Sequence, residues 1–197
     1  MDEAAVTKIF AALNFAADKH RLQRRKGGAD TPYINHPINV VELLWRVGGV
    51  RDAEVLVAGI LHDTVEDTDA TLAELTTHFG ARVSALVAEV SDDKSLPKPE
   101  RKRLQVERAP HLSVGAKLIR LADKAFNVYD VAYTPPTHWP HQRRVEYLAW
   151  TERVVAGMRG TNAALEAHYD AVLAEARAKV AADGAAAGAS AAPAQAL

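Results

Sequence analysis

The sequence predicts an all-α protein. Apolar residues recur at helical spacing along most of the chain, and recognisable start and stop signals punctuate those stretches. No run of five or more residues alternates cleanly between apolar and polar with β-branched enrichment, so strands are not expected to matter. A chain of 197 residues is enough for one domain with a sizeable core and short for two. The expected architecture is a helical bundle of roughly eight to ten helices over residues 1–180, followed by a disordered tail over 181–197.

The first helix is expected over residues 3 to about 20, where Val6, Ile9, Phe10, Leu13 and Ala17 share one face. Gln23 to Tyr33 (QRRKGGADTPY) is basic, then rich in turn residues, and reads as a loop. Pro37 suits the first turn of a second helix that Gly48-Gly49 ends. A third helix covers roughly 52 to 66. Thr71 and Glu74 form a T-x-x-E capping box that opens a short helix stopping near Gly80. Residues 81 to 91 continue as helix, and Ser91 to Pro99 (SDDKSLPKP) is a polar, proline-bearing loop. Helices follow at about 99–109, 113–132, 141–158 and 161–181. From about Ala181 the chain is alanine-rich low complexity, which buries too little surface to offset its ordering entropy.

Composition excludes several classes. Hydrophobic residues make up 48% and charged residues 25%, ordinary for a soluble globular protein. Cysteine is absent, which removes disulfides, thiolate ligands and a cysteine nucleophile, and suits a reducing cytoplasm. The longest apolar run, Val55 to Leu61, is far too short to cross a bilayer, and the acidic N-terminus does not read as a signal peptide. With a net charge of −1 the molecule has no overall field for nucleic acid, so any anion site must be local. A homo-oligomer is left open.

The chemistry concentrates in Leu61-His62-Asp63-Thr64-Val65-Glu66-Asp67-Thr68. A histidine and an aspartate at the polar end of an apolar helix (VLVAGILHD) turn inward together only if something binds them, and imidazole plus carboxylate suits manganese, iron or zinc. Glu66 and Asp67 follow at i+4 from His62 and Asp63 and so sit beside the same site. Alone, the dipeptide reads more readily as a core histidine beside a solvated helix end. Two other positions join it. His36 precedes Pro37 at a helix start, and Asp123 interrupts an apolar helix (VGAKLIRLADK), sharing a face with Asn127 and Asp130. The order H…HD…D, with gaps of about 26 and 60 residues, is the metal signature of the HD phosphohydrolases.

With these residues in view the chain resembles the stand-alone hydrolases of the RelA/SpoT family, the small alarmone hydrolases. The resemblance is carried by Lys19-His20-Arg21, Gln23-Arg24-Arg25-Lys26 and Thr31-Pro32-Tyr33-Ile34-Asn35-His36-Pro37. It continues through the His62-Asp63 segment, Phe79-Gly80, Glu89-Val90-Ser91-Asp92-Asp93-Lys94 and Ala116 to Lys124, and ends in Arg159-Gly160-Thr161-Asn162 with Leu165-Glu166. It spans about residues 5 to 170. Ser91 stands where the family has threonine. The resemblance implies an HD-domain helical bundle with one Mn2+ ion on His36, His62, Asp63 and Asp123. It also implies that Glu66 and Asp67 position or deprotonate the attacking water. Arg25 and Lys26 match basic residues near the substrate phosphates. Lys98, Asn127, Arg143 and Tyr147 match positions lining the nucleotide pocket, with Arg143 and Tyr147 as a cation beside a ring at i, i+4. Arg101, Lys102 and Arg103 are expected on the solvated surface.

The implied reaction is hydrolysis of guanosine 3′,5′-bis(diphosphate), or its pentaphosphate, to GDP or GTP and pyrophosphate in the cytoplasm. The partner is thus a small nucleotide, with no nucleic acid and no membrane. Two alternatives stay open at this point: an HD phosphohydrolase acting on another nucleotide, such as the 2′-phosphate of NADPH, and a non-catalytic alarmone-binding module.

Overall fold

The computed structural model describes residues 1–27 and 30–190. Ten α-helices follow in order: α1 (Glu3–Lys19), α2 (Asn35–Arg46), α3 (Ala53–Leu61), α4 (Thr64–Asp67), α5 (Leu72–Phe79), α6 (Ala81–Val90), α7 (Lys98–Arg108), α8 (Val114–Tyr133), α9 (His141–Ala156) and α10 (Ala163–Ser190), with a 3₁₀ turn at Ala109–His111. The described residues contain no strand, only isolated bridges between Arg24 and Pro32 and between Gly27 and Pro136. None of these helices is long and apolar enough to cross a membrane.

Local chemistry sets the helix starts. The Asp2 carboxylate accepts from Ala5 N at 2.8 Å, Asp52 from Glu54 N at 3.0 Å, and Thr71 Oγ1 from Glu74 N at 3.1 Å, each satisfying a donor that the first turn leaves without a partner. Half of the expected capping box therefore forms. Glu74 instead pairs with Lys19, 3.2 Å away on α1. Gly80, at φ +93°, takes the left-handed turn that separates α5 from α6.

Two helices organise the core. Every residue of α3 from Val55 to Leu61 is buried, because α1, α2, α6 and α8 surround it. The long α8 packs against α2, α3, α6, α9 and α10. Gly59 allows the close approach of α2 to α3, since a Cβ there would meet Val41 Cγ2 at 3.0 Å and Leu44 Cδ1 at 3.1 Å. That approach brings the N-terminus of α2, the C-terminus of α3 and the middle of α8 together.

The structure departs from expectation at the C-terminal end. Helix α10 does not stop near 181 but runs through Ser190, and Asp183 on it accepts from Arg144 Nη2 at 2.9 Å. The Arg144 guanidinium is buried and also donates to the carbonyls of Val131 and Ala132 at 3.0 Å each. A tertiary tie outweighs low complexity over this stretch. The rest of the expected disordered tail, residues 191–197, lies outside the described residues.

Candidate metal centre

The expected single helix over 52–66 is broken at its most informative point. His62 Nδ1 lies 2.8 Å from the Gly59 carbonyl and Thr64 Oγ1 donates to the Leu61 carbonyl at 2.7 Å. Side chains therefore occupy acceptors that the next backbone turn would use. The backbone turns at His62-Asp63 and restarts as α4. On a continuous helix adjacent residues point about 100° apart; the break lets both converge.

They converge with His36 and Asp123. His36 Nε2 lies 3.2 Å from Asp123 Oδ1 and 3.6 Å from Asp63 Oδ2. His62 Nε2 lies 3.1 Å from Asp63 Oδ2 and 3.8 Å from Asp123 Oδ1. The rings of His36 and His62 are 5.3 Å apart, centroid to centroid. Both imidazoles and Asp123 are buried. Three more groups hold the carboxylates: Tyr33 donates to Asp63 Oδ2 at 2.5 Å, Asn127 donates to Asp123 Oδ1, and Lys124 Nζ sits 3.1 Å from Asp123 Oδ2.

The donor set fits a divalent cation. The Gly59 carbonyl fixes a proton on His62 Nδ1, so a neutral ring carries its lone pair on Nε2, facing two carboxylates. That nitrogen is buried and makes no hydrogen bond among the described residues. A lone pair facing carboxylate oxygens is repulsive unless positive charge lies between them. Burial alone would lower the His62 pKa, but Asp63 and Asp123 overcome it and push the ring up to about 10. Burial instead holds the His36 imidazole below its ordinary value. The cluster thus demands positive charge at one point, as a proton or as a metal ion, and it offers two imidazole nitrogens and two carboxylates for the latter. The His62 ring is oriented through its other nitrogen, the usual second contact of a metal-ligating histidine.

A cavity of about 680 Å³ opens over this cluster. Of the expected site residues, Arg25, Lys26, His36, Asp63, Glu66, Asp67, Lys98, Asp123, Asn127 and Tyr147 line it. His62 lies in the cluster beneath. Arg143 does not line it; its guanidinium stacks on Trp139 at 4.3 Å, and the expected pairing with Tyr147 is replaced by Lys102 over that ring at 5.4 Å. The solvated-surface expectation is corrected for Arg101 and Lys102, which both line the cavity. It holds for Arg103, which pairs with Glu100 and Glu107 on the outer face of α7. Helical spacing explains the split: Lys98, Arg101, Lys102 and Gln105 share one face.

The cavity lining carries more Lys and Arg than Asp and Glu. Lys98 and Lys102 make no ion pair among the described residues. Burial, followed by Lys98, Arg143 and Lys124, lowers Lys102 to about 8. Lys98 is lowered by burial and by Arg143, Lys26 and Arg101. Six carboxylates line the cavity and pair with much of its positive charge, but Lys98 and Lys102 are left over on one wall, and partly buried ammonium groups without a counter-charge call for an anionic ligand. Arg25 is different, since Asp130 and Asn127 already engage its guanidinium.

Glu66 and Asp67 face the same space from α4. Glu66 accepts from Asp92 N at 2.9 Å and lies 3.5 Å from Lys94. Burial raises its carboxyl above the usual range, helped by Asp92 and Asp63 and opposed by the Asp92 N–H and Lys94. Asp67 pairs with Lys94 and accepts from Gln23 Nε2 at 3.3 Å. The sequence reading missed Tyr33, Lys94, Lys102, Lys124, Trp139 and Trp150. Lys102 was legible from its i+4 spacing to Lys98 and Lys124 from its place beside Asp123, whereas the two tryptophans carry no local signal.

The comparison with known proteins agrees with this geometry. A family profile described as HD domain matches residues 12–148. The chain belongs to the HD-domain family. This HD-domain protein is 56% identical over 159 residues to a Mus musculus protein named guanosine-3′,5′-bis(diphosphate) 3′-pyrophosphohydrolase MESH1, covering 81% of this chain and 89% of that one. A Drosophila melanogaster protein of the same name is 50% identical over 165 residues, covering 84% and 92%. The fold matches a solved structure described as a metazoan ortholog of SpoT that hydrolyzes ppGpp, with a TM-score of 0.83 and 49% identity over 85% of this chain and 94% of that one. HD hydrolases are metal-dependent, and the His/Asp cluster is where a metal fits this chain.

Proposed function

We propose that this HD-domain protein is a manganese-dependent, cytoplasmic hydrolase of guanosine 3′,5′-bis(diphosphate), accepting tetra- and pentaphosphate and leaving GDP or GTP plus pyrophosphate. The observation that carries the reading is the convergence of His36, His62 and Asp123, with Asp63 Oδ2 beside both imidazoles, at the floor of a cavity with surplus positive charge. The names of its relatives supply the substrate.

His36, His62, Asp63 and Asp123 hold the ion. When bound, manganese supplies Lewis acidity and makes water a stronger acid. Glu66 accepts the proton of the attacking water, and its raised carboxyl pKa brings it closer to the working pH of a general base. Asp67, fixed by Gln23 and Lys94, orients that water. Water adds to the 3′ phosphorus, the bond from phosphorus to the ribose 3′ oxygen breaks, and that oxygen takes a proton from solvent while Glu66 returns to solvent the one it accepted. Lys26, Lys98 and Lys102 bind the substrate phosphates by charge-assisted hydrogen bonds, while Arg25 and Asn127 form the wall beside them. Tyr147 and Trp139 also line the cavity and supply its aromatic surface near the base.

Purified protein incubated with guanosine tetraphosphate and manganese is expected to release pyrophosphate, and chelator to stop it. Release of inorganic phosphate from NADPH, with no pyrophosphate from the tetraphosphate, would overturn the substrate assignment. The Lys102 assignment adds a pH signature. Its ammonium is present below about 8 and lost above, so KM should rise as pH passes that value. Lys102→Met should raise KM about tenfold and flatten its pH dependence, measured between pH 7 and 9.5. An unchanged KM would remove Lys102 from the phosphate site.

A further inference from the structure

We infer that His20 is a positioning residue that acts through Gln23 on Asp67, and the inference rests on the hydrolase reading above for its kinetic arm alone. His20 caps α1 and is buried, lies behind the cavity lining without being part of it, and has no part in the mechanism so far. Its Nδ1 lies 2.7 Å from Gln23 Oε1. An amide oxygen only accepts, so the proton between them belongs to Nδ1. With its oxygen occupied, Gln23 has only its NH₂ to turn toward Asp67, and Nε2 lies 3.3 Å from Asp67 Oδ2. Lys94 engages the other Asp67 oxygen. Both carboxylate oxygens are therefore held, one by a surface lysine and one by a chain that ends in a buried ring.

The histidine also fixes that chain laterally. Its ring lies against Tyr33 at 4.8 Å between centroids and 33° between planes, and the Tyr33 hydroxyl donates to Asp63. His20 Nε2 is buried and makes no hydrogen bond among the described residues, so the ring meets only one polar partner, through Nδ1. Packing alone would be served as well by leucine. A polar ring buried for a single contact indicates that the contact matters, since burying an unpaired nitrogen is unfavourable. Without His20 the Gln23 amide can flip, presenting its oxygen to Asp67 and repelling the carboxylate instead of holding it.

The decisive measurement is the His20 tautomer in the full chain without added metal, read at pH 8 from long-range ¹⁵N–¹H correlations. The Nδ1–H form is expected, and Gln23→Leu should shift the population toward Nε2–H. A wild-type Nε2–H form would overturn the proposal, because the Gln23 amide would then point the opposite way. The kinetic arm compares variants under the tetraphosphate assay. His20→Leu should lower kcat about tenfold with KM within twofold, the scale seen when an outer orienting partner is lost. His20→Asn, which keeps a donor where Nδ1 stands, should restore most of the rate. Adding Gln23→Leu to His20→Leu should cost nothing further. Multiplicative losses, or no rescue by asparagine, would reduce His20 to a packing residue. An inactive wild type would count against the hydrolase reading and leave the tautomer result to decide this one.

Discussion

Replacing Asp63 with alanine should lower metal-dependent hydrolysis by at least about a thousandfold, equivalent to about 4 kcal/mol of transition-state stabilisation. Asp63 Oδ2 lies within hydrogen-bonding range of His62 and 3.6 Å from His36, so its loss opens the donor set on the side nearest Glu66. The fold should survive. Tyr33 loses its acceptor, which costs about 1 kcal/mol, and His62 and His36 lose one carboxylate neighbour while keeping Asp123. The expected result is a helical far-UV spectrum and a melting midpoint near that of the wild type, with pyrophosphate release abolished. Full activity in a folded Asp63→Ala variant would show the metal assignment to be wrong.

Glu66→Gln should separate activity from stability. As general base, Glu66 contributes about a thousandfold to kcat, and the variant should lose that with little change in KM. Its carboxyl is raised above the unfolded value, chiefly by burial. Stability linked to it is therefore fully present below the unfolded pKa and is lost as pH rises through the folded one. Above the folded pKa the carboxylate carries its charge in a partly buried place, so in that range a neutral glutamine should leave the protein at least as resistant to urea as the wild type. In the wild type the acid limb of kcat/KM should lie above the ordinary range of a glutamate, and the variant should lack it. A variant with wild-type turnover would pass the role to Asp67; one that retains the acid limb would show that another group sets it.

The architecture was legible because its signals are local. The cap at Thr71, glycine at position 80 and the period of α8 are all read within a few residues of where they act. The His/Asp cluster was legible for a different reason. His62-Asp63, His36 and Asp123 each violate the apolar pattern around them, and a polar residue in a core-facing position announces a partner. The break of α3 after Leu61 was missed although its cause is local, with His62 and Thr64 side chains competing for carbonyls three residues back. Elsewhere the sequence reading failed where tertiary context decides. Nothing local turns Arg143 onto Trp139 or folds Trp150 beneath Lys102. The continuation of α10 beyond residue 181 rests on Arg144, 39 residues earlier.

The central claim is that three helical segments hold one divalent ion between four side chains. Manganese titrated into purified protein and followed by electron paramagnetic resonance tests it most directly, because free and protein-bound ions give separate signals. The account predicts one tightly held equivalent per chain in the wild type and none in His62→Ala or Asp123→Ala. A wild-type chain that takes up no manganese, or variants that bind it as well as the wild type, would contradict the account.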